Sequence, residues 1–227
     1  MKALYILTIA LSSTYCFAQI DKSDHIVDEQ FGDLRERPKS KEKAEGTIYL
    51  WNENQTGTIV KNNGDSLVQV TFNYDIISDR IESLRDKKYF TLNGSSVDSF
   101  VINHAPLSSN SYFRNGKISD FLSDGFYLIL ARGEISFYSR SIIDYYPSNY
   151  NAITDSGYEH DRYVKTIKFY LVSPEKLLIE TKSLKKVLSY LIKKDSVYKQ
   201  YAKKNKLKPT ENSIARLLQL KVNQPLK

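Results

Sequence analysis

The hydrophobic and polar residues of this chain follow two different periods, and the change between them falls near Lys182. From Gly46 onward, short runs rich in β-branched and aromatic residues are separated by turn residues. In residues 66–74, one such run, alternate side chains would point to opposite faces of a strand. The preceding Asn-Asn-Gly-Asp at 62–65 predicts a tight hairpin turn, because Asn and Gly tolerate positive φ.

The number and spacing of these runs predict an antiparallel β domain over residues 46–182. We predict strands at residues 47–51, 56–60, 66–74, 88–92, 97–102, 126–131, 134–138, 163–172 and 177–181. Helix-length periodic segments do not alternate with them, so a parallel sheet is not expected. An antiparallel β-sandwich or open barrel of nine or ten strands fits the short connections.

After Lys182 the apolar residues take a helical period. One apolar stripe is formed by Leu184, Val187, Leu188, Leu191 and Ile192. Ser183, Asp195 and Thr210 are suitable N-cap residues, so residues 183–227 are predicted to form a helical appendage of two or three helices. The expected fold class is therefore mainly β (α+β), with the β domain first and the helices last.

The chain begins with the features of a secretory signal peptide. Lys2 is followed by a largely apolar, uncharged stretch and by small residues at the two positions that a signal peptidase reads, so residues 1–18 are predicted to be cleaved after Ala18. Residues 19–45 are polar and charge-rich, which predicts a flexible leader. The protein is expected to be exported, with periplasmic, outer-membrane-associated and secreted locations left open.

Cys16 leaves a second interpretation of the N-terminus. A lipoprotein would keep Cys16 as its lipid-bearing first residue, but the bulky Tyr15 before it disfavours that processing. With cleavage after Ala18 the mature chain has no cysteine, which excludes thiol catalysis and cysteine–zinc sites. No transmembrane segment is expected in the mature chain, because no other uncharged run approaches about 20 residues.

The two predicted regions differ in charge. Residues 182–227 contain 13 Lys and Arg against 2 Asp and Glu, a net charge of +11, whereas residues 19–181 carry 19 basic and 24 acidic residues, a net charge of −5. The lysines could simply keep the outer faces of small helices solvated. Alternatively, they could bind an acidic partner in the envelope, which could be a protein, a glycan or a lipid head group. Nucleic acid is not expected, since the basic residues are nearly all Lys in an exported chain. The candidate docking residues are Lys185, Lys186, Lys193 and Lys194.

Known catalytic and cofactor motifs are missing from the sequence, so no catalytic, cofactor-binding or metal-ligating residue is assigned and no cofactor is expected. The acidic loop from Asp155 to Asp161 could bind a metal, although a solvated loop is the simpler interpretation. For the carboxylates and Arg80 between residues 75 and 82, ion pairs around a turn are favoured over paired glycosidase carboxylates. The tyrosines at 145, 146 and 150 could stack on sugars, but covering the edge of the sheet is favoured.

Several short segments resemble an uncharacterised family of small exported proteins from Bacteroidetes-type bacteria. The similar segments are Gly-Thr-Ile-Tyr-Leu at 46–50, Gly-Thr-Ile-Val at 57–60, Asn-Tyr-Asp at 73–75, Phe-Val-Ile at 100–102, Gly-Glu-Ile-Ser-Phe-Tyr at 133–138 and Lys-Lys-Asn-Lys-Leu at 203–207. The resemblance spans most of residues 46–222 and implies export and a β-rich body followed by a Lys-rich helical end. It implies no activity and no catalytic residue.

These features lead to one main hypothesis and two alternatives. The main hypothesis is a non-enzymatic binding or scaffold protein of the cell envelope. One alternative is a hydrolase that acts on a glycan or peptide through Asp and Glu residues of the β domain. The other is a peripheral membrane protein with the Leu184–Ile192 stripe on lipid, although we expect that stripe to be buried.

Overall fold

In the part of the chain that the structure describes, ten antiparallel strands form one sheet, and three α-helices follow it. The strands are β1 (Gln55–Lys61), β2 (Ser66–Asp75), β3 (Arg80–Arg85), β4 (Lys88–Asn93), β5 (Val97–Ile102), β6 (Ser111–Asn115), β7 (Phe126–Ala131), β8 (Ser136–Tyr146), β9 (Arg162–Val172) and β10 (Leu177–Thr181). The helices are α1 (Leu184–Lys194), α2 (Ser196–Lys204) and α3 (Glu211–Val222). This arrangement confirms the predicted mainly β fold with a helical appendage.

The structure is a computed structural model, and it describes residues 44–85, 88–103, 110–151 and 153–222. The predicted signal peptide lies outside the described residues, as does the predicted leader except for its last two residues. Glu45, at the end of that leader, pairs with Arg162 in a parallel bridge.

The strand order shows how the sheet is built. It runs β10-β9-β8-β7-β6-β5-β1-β2-β3-β4, so β5 returns past the first hairpins to pair with β1. Because β10 and β4 are its two edges, the sheet does not close into a barrel. Every pair of neighbouring strands is antiparallel, as the short connections predicted.

An aromatic cluster shows that the sheet folds back over itself. Three strands separate β2 from β7 in the sheet order, which would place them about 19 Å apart in a flat sheet. The rings of Tyr74 on β2 and Phe126 on β7 are nevertheless only 5.1 Å apart between centroids. The register of β1 and β2 shifts between Gly57 and Ile59, and Gln69 on β2 has a positive φ of 55°. Together they bend β2 where the sheet begins to fold back.

Trp51 completes that cluster from a segment that belongs to no strand. Its ring makes edge contacts with Phe72, Phe100 and Phe113, at centroid distances of 6.2, 6.0 and 5.6 Å. Residues 44–51 therefore form a strap, which runs from Glu45 beside β9 to the end of β2, where Leu50 N–H donates to the Tyr74 carbonyl (2.8 Å). We keep the name strap for this segment.

The helices pack on the face of the sheet formed by β7–β10. Val187 and Leu191 of α1, Ile214 and Leu217 of α3, and Phe137 of β8 are fully buried in one cluster. Leu184 and Ile192 pack against the same cluster and are half-buried. The prediction that the α1 stripe is buried is therefore confirmed, and the stripe offers no apolar face to a lipid surface.

The helix boundaries follow their caps. The Asp195 carboxylate accepts a hydrogen bond from Val197 N–H (2.8 Å), and the Thr210 hydroxyl accepts one from Ser213 N–H (3.2 Å), as the sequence predicted. Ser183 precedes α1, but its side chain makes no capping hydrogen bond. Within the described part of the chain, no helix has both the length and the apolar content needed to cross a bilayer.

Some predicted strands were wrong or missing. Residues 47–51 belong to the strap instead of forming a strand, because Gly46 has a φ of 89° and Trp51 turns into the aromatic cluster. Arg80–Arg85 and Ser111–Asn115 are strands that the sequence did not predict, since both are short and largely polar. β8 is also longer than predicted, and it continues to Tyr146.

The buried cluster predicts a large loss of stability on truncation of one helix residue. Leu191→Ala removes a fully buried side chain between α1 and the sheet, so the free energy of unfolding should fall by about 2–5 kcal/mol. Urea denaturation followed by circular dichroism measures this free energy of unfolding. Ser189→Ala, at an exposed position of α1, is the control and should change stability by less than about 0.5 kcal/mol. Equal stabilities of the two variants would contradict the packing described here.

Candidate docking surface

The outer side of α1 is covered by the four lysines that the sequence singled out. Lys185, Lys186, Lys193 and Lys194 are all exposed. Lys186 and Lys193 are seven positions apart, which places them within about 20° of each other around the helix and about 10 Å apart along it. The lysines lie opposite the buried stripe because an amphipathic helix that packs on a sheet turns its polar side outward.

Helix stability does not account for the lysines in the first turn of α1. The N-terminus of a helix carries a partial positive charge and favours Asp or Glu, yet α1 has no acidic residue there. Lys186 occupies the third helical position after Ser183, where a capping box would have Glu or Gln. Lys193 and Lys194, in contrast, lie in the last turn, where a positive charge is favourable.

The structure extends this surface beyond the four predicted residues. Further exposed cations lie on α2, on the connection that follows it and on α3: Lys199, Lys203, Lys204, Lys206, Lys208 and Arg216. Their distribution on the helices follows from the helical period, which the sequence already shows. We call these residues, together with Lys185, Lys186, Lys193 and Lys194, the basic surface.

The basic surface is not neutralised by acidic neighbours. In the part of the chain that the structure describes, none of its members forms an ion pair. Lys182, just before α1, lies 3.9 Å from the Asp144 carboxylate, and this pair marks where the basic surface ends. The positive charges of the helices are therefore available to an external anion.

The carboxylates between residues 75 and 82 have structural roles. Asp75 accepts hydrogen bonds from the N–H groups of Ile77 (2.9 Å) and Ser78 (3.1 Å) and shapes the β2–β3 turn. Glu82 accepts a hydrogen bond from the Tyr49 hydroxyl of the strap (2.7 Å). The ion pairs expected around this turn are not formed among the described residues, because tyrosine hydroxyls and backbone N–H groups reach the carboxylates instead.

Tyr74 and Asp79 meet in the same turn. The buried Tyr74 hydroxyl donates a hydrogen bond of 2.7 Å to an Asp79 carboxylate oxygen. Burial, and then the hydrogen bond to this carboxylate, raise the pKa of Tyr74 far above its usual value of about 10. Gly94 packs so closely on Asp79 that an added Cβ would lie 2.2 Å from its carboxylate, which leaves no space for a larger side chain at residue 94.

The acidic loop from Asp155 to Asp161 uses its carboxylates internally. Asp155 accepts a hydrogen bond from the Tyr150 hydroxyl (2.7 Å), and Asp161 accepts hydrogen bonds from the Tyr145 hydroxyl (2.7 Å) and Ser148 N–H (2.9 Å). Among the described residues, no three His, Cys, Asp or Glu side chains lie close enough together to hold a metal ion.

A cavity lies where the loop after β6 meets the ends of β8 and β9. Its volume is about 300 Å³, and its lining includes Lys117, Ser119, Asp120, Phe121 and Tyr138. Asp120 is the one carboxylate in that lining, so the cavity does not bring together the several acidic groups that the hydrolase alternative requires.

Comparisons of the chain with protein-family models, with curated proteins and with solved structures find no match.

The Tyr74–Asp79 pair predicts a specific loss of stability in alkali. Above pH 10 an unfolded chain releases the Tyr74 proton while the folded chain keeps it, so stability is unaffected below that pH and falls as the pH rises. Urea unfolding between pH 8 and pH 11 should show a decline that is steeper in the native protein than in Tyr74→Phe, by up to about 1.4 kcal/mol per pH unit. Parallel pH profiles of the two proteins would show that Tyr74 titrates normally.

Proposed function

We propose that this protein is an exported, non-enzymatic binding protein of the cell envelope that holds an acidic glycan on its basic surface. The observation that carries the proposal is the unpaired, outward-facing charge of the helices, including two lysines in the first turn of α1 that oppose the helix dipole. Departures from local helix rules are expected at functional sites, which supports a role for these lysines in binding. Export rests on the signal-like residues 1–18 and on the family resemblance.

An acidic glycan fits this surface better than a bilayer or a single small anion. All of its cations except Arg216 are lysines, which act as hydrated point charges and do not fix one ligand geometry. Such charges, spread over successive helices, suit a polymer with repeated carboxylates. Among the exposed large hydrophobic residues in the described part, Val197 alone lies on these helices, so the surface has few groups to insert into lipid.

The test uses alginate, a polyuronate, as the probe and a charge-reversal pair as the variant. Lys185→Glu/Lys186→Glu should lower the affinity for alginate by about tenfold or more, since each exposed charge contributes up to about 1 kcal/mol. The same change should leave the free energy of unfolding equal or higher, because it puts acidic residues into the first turn of α1. Isothermal titration calorimetry at two salt concentrations and urea denaturation measure the two effects.

The matched control is Arg132→Glu/Lys176→Glu. It changes the net charge by the same amount, at exposed residues in the turns that follow β7 and β9. Its affinity for alginate should stay within about twofold of the native value. Equal losses of affinity in the two variants would show that alginate binding depends on net charge alone. If the protein binds vesicles of phosphatidylcholine and phosphatidylglycerol but not alginate, the ligand of the basic surface is a lipid surface and not a glycan.

A further inference from the structure

The loop between β6 and β7 lies on the face of the sheet that the helices do not cover. Successive residues of β8 face opposite sides, so Phe137 points into the helix-covered cluster and Tyr138 to the other face. On that other face, Leu122 of the loop packs against Tyr127 and Tyr170. The cavity of about 300 Å³ lies between this loop and the ends of β8 and β9, and it is therefore separate from the basic surface.

Hydrogen bonds fix the loop on the sheet, so the cavity is formed before any ligand binds. Gly116 N–H donates to the Gly125 carbonyl (2.8 Å) and closes the base of the loop. The Arg140 guanidinium of β8 donates to the Ser123 hydroxyl and joins the far side of the loop to the sheet. Pockets for small molecules are usually preformed and measure about 300–1,000 Å³, so this cavity suits a ligand at the small end of that range.

Three polar side chains of the cavity lining are left without partners. Ser136 and Tyr138 are two residues apart on β8, so they line the cavity from one face of the strand. Among the described residues, neither of their hydroxyls nor the Asp120 carboxylate has a hydrogen-bond or ion-pair partner. Lys117, by contrast, donates to the Ser95 carbonyl (3.2 Å). The groups available to a ligand are two hydroxyls and one carboxylate, a set that favours ligand O–H groups over a second carboxylate.

Two aromatic rings line the same cavity. Phe121 of the loop is 39% exposed although its side chain is large and apolar. The ring of Tyr138 is held by an edge contact with Tyr127, at a centroid distance of 6.5 Å. An aromatic ring offers an apolar face beside the polar groups of a site, so it can cover the C–H groups of a ligand whose hydroxyls are bound elsewhere. A ligand that carries hydroxyls around a ring with apolar C–H faces matches both features.

The charges of the cavity lining favour a neutral ligand. Lys117 and Asp120 are its charged residues, so the lining as a whole is neutral. An anionic ligand would meet the unpaired Asp120 carboxylate, and a cationic ligand would meet the Lys117 ammonium. A neutral ligand with several hydroxyl groups avoids both repulsions and satisfies the partnerless groups of the lining.

We propose that this cavity binds a neutral monosaccharide. The Asp120 carboxylate accepts hydrogen bonds from sugar hydroxyls, the hydroxyls of Ser136 and Tyr138 bind further sugar oxygens, and the ring of Phe121 covers a C–H face of the sugar. The site shares no residue with the basic surface, so it does not depend on the binding of an acidic glycan there.

The test uses four neutral sugars as probes: D-glucose, D-galactose, D-mannose and N-acetyl-D-glucosamine. NMR titration of the full chain should show, with at least one of them, saturable shifts of the amides of residues 117–121 and 136–138. The dissociation constant should be about 10 mM or lower, as the size of a monosaccharide allows. Saturable shifts confined to other parts of the chain, or none with any of the four sugars, would overturn the proposal.

Variants of Asp120 separate a sugar from a cation. Asp120→Ala should weaken sugar binding by about tenfold, whereas Asp120→Asn, whose amide oxygen still accepts a hydrogen bond, should weaken it by about threefold or less. Asp124→Ala removes an exposed carboxylate of the same loop outside the cavity lining and should bind the sugar as the native protein does. Saturable binding of tetramethylammonium in place of the sugars, lost equally in both Asp120 variants, would show a cation site and overturn the proposal.

Variants of Phe121 test the contact with the ring. Phe121→Ala should weaken sugar binding by about three- to tenfold, the contribution expected of an aromatic contact. Phe121→Tyr keeps the ring and should bind as the native protein does. Because Phe121 is exposed, the NMR spectrum of the remaining chain should be unchanged in both variants. Equal affinities of Phe121→Ala and the native protein would show that the ring does not cover the sugar and would overturn the proposal.

Discussion

The packing of three short helices on the face of β7–β10 is the interaction on which the other features depend. Leu191 and Val187 of α1 meet Phe137 and Leu171 of the sheet in a fully buried cluster. Helices of this length are marginal in water on their own, so their order comes from this apolar contact. Because the contact fixes which side of each helix faces inward, it also fixes the direction of the lysines. The basic surface is thus a consequence of core packing.

The aromatic cluster around Phe100 stabilises the part of the sheet formed by β2, β5, β6 and β7 in a different way. There the sheet covers its own inner face by folding over, and Trp51 fills the remaining space from the strap. The strap then joins this cluster to the β8–β9 hairpin through Glu45 and the carbonyl groups that Lys165 binds. Burial at this junction lowers the pKa of Lys165. A two-stranded hairpin alone is marginally stable, and the strap supplies support along one side.

The sequence predicted the elements whose patterns are local. The helical stripe from Leu184 to Ile192 was recognised because five apolar residues follow one period, and the position of the basic surface follows from the same period. β3 was missed because Arg80–Arg85 contains only two apolar residues, and its identity as a strand depends on pairing with β2 and β4. The extension of the β8–β9 hairpin beyond β7 and β10 could not be predicted, since it depends on where those two strands stop pairing, which is set by distant parts of the chain.

The charged groups show the same division between local and tertiary information. The turn after β2 was recognised as polar, but its partners, Tyr49 of the strap and Tyr74 of the strand, were not predicted. Tyr49 is 33 residues from Glu82 along the chain, and the two meet only because the strap crosses the sheet. Because these carboxylates accept long-range hydrogen bonds from tyrosine hydroxyls, they have structural roles, although their spacing in the sequence also allowed a catalytic interpretation.

Native-state hydrogen exchange shows directly whether the helices are held on the sheet. If helix packing on the sheet directs the basic surface, the amides of Val187 and Leu191 should exchange only through the same global opening as those of Phe137 and Leu171, with equal free energies and equal denaturant dependence. Exchange of the helix amides through a separate opening of much lower free energy, while the sheet stays protected, would show that the helices are not held on the sheet.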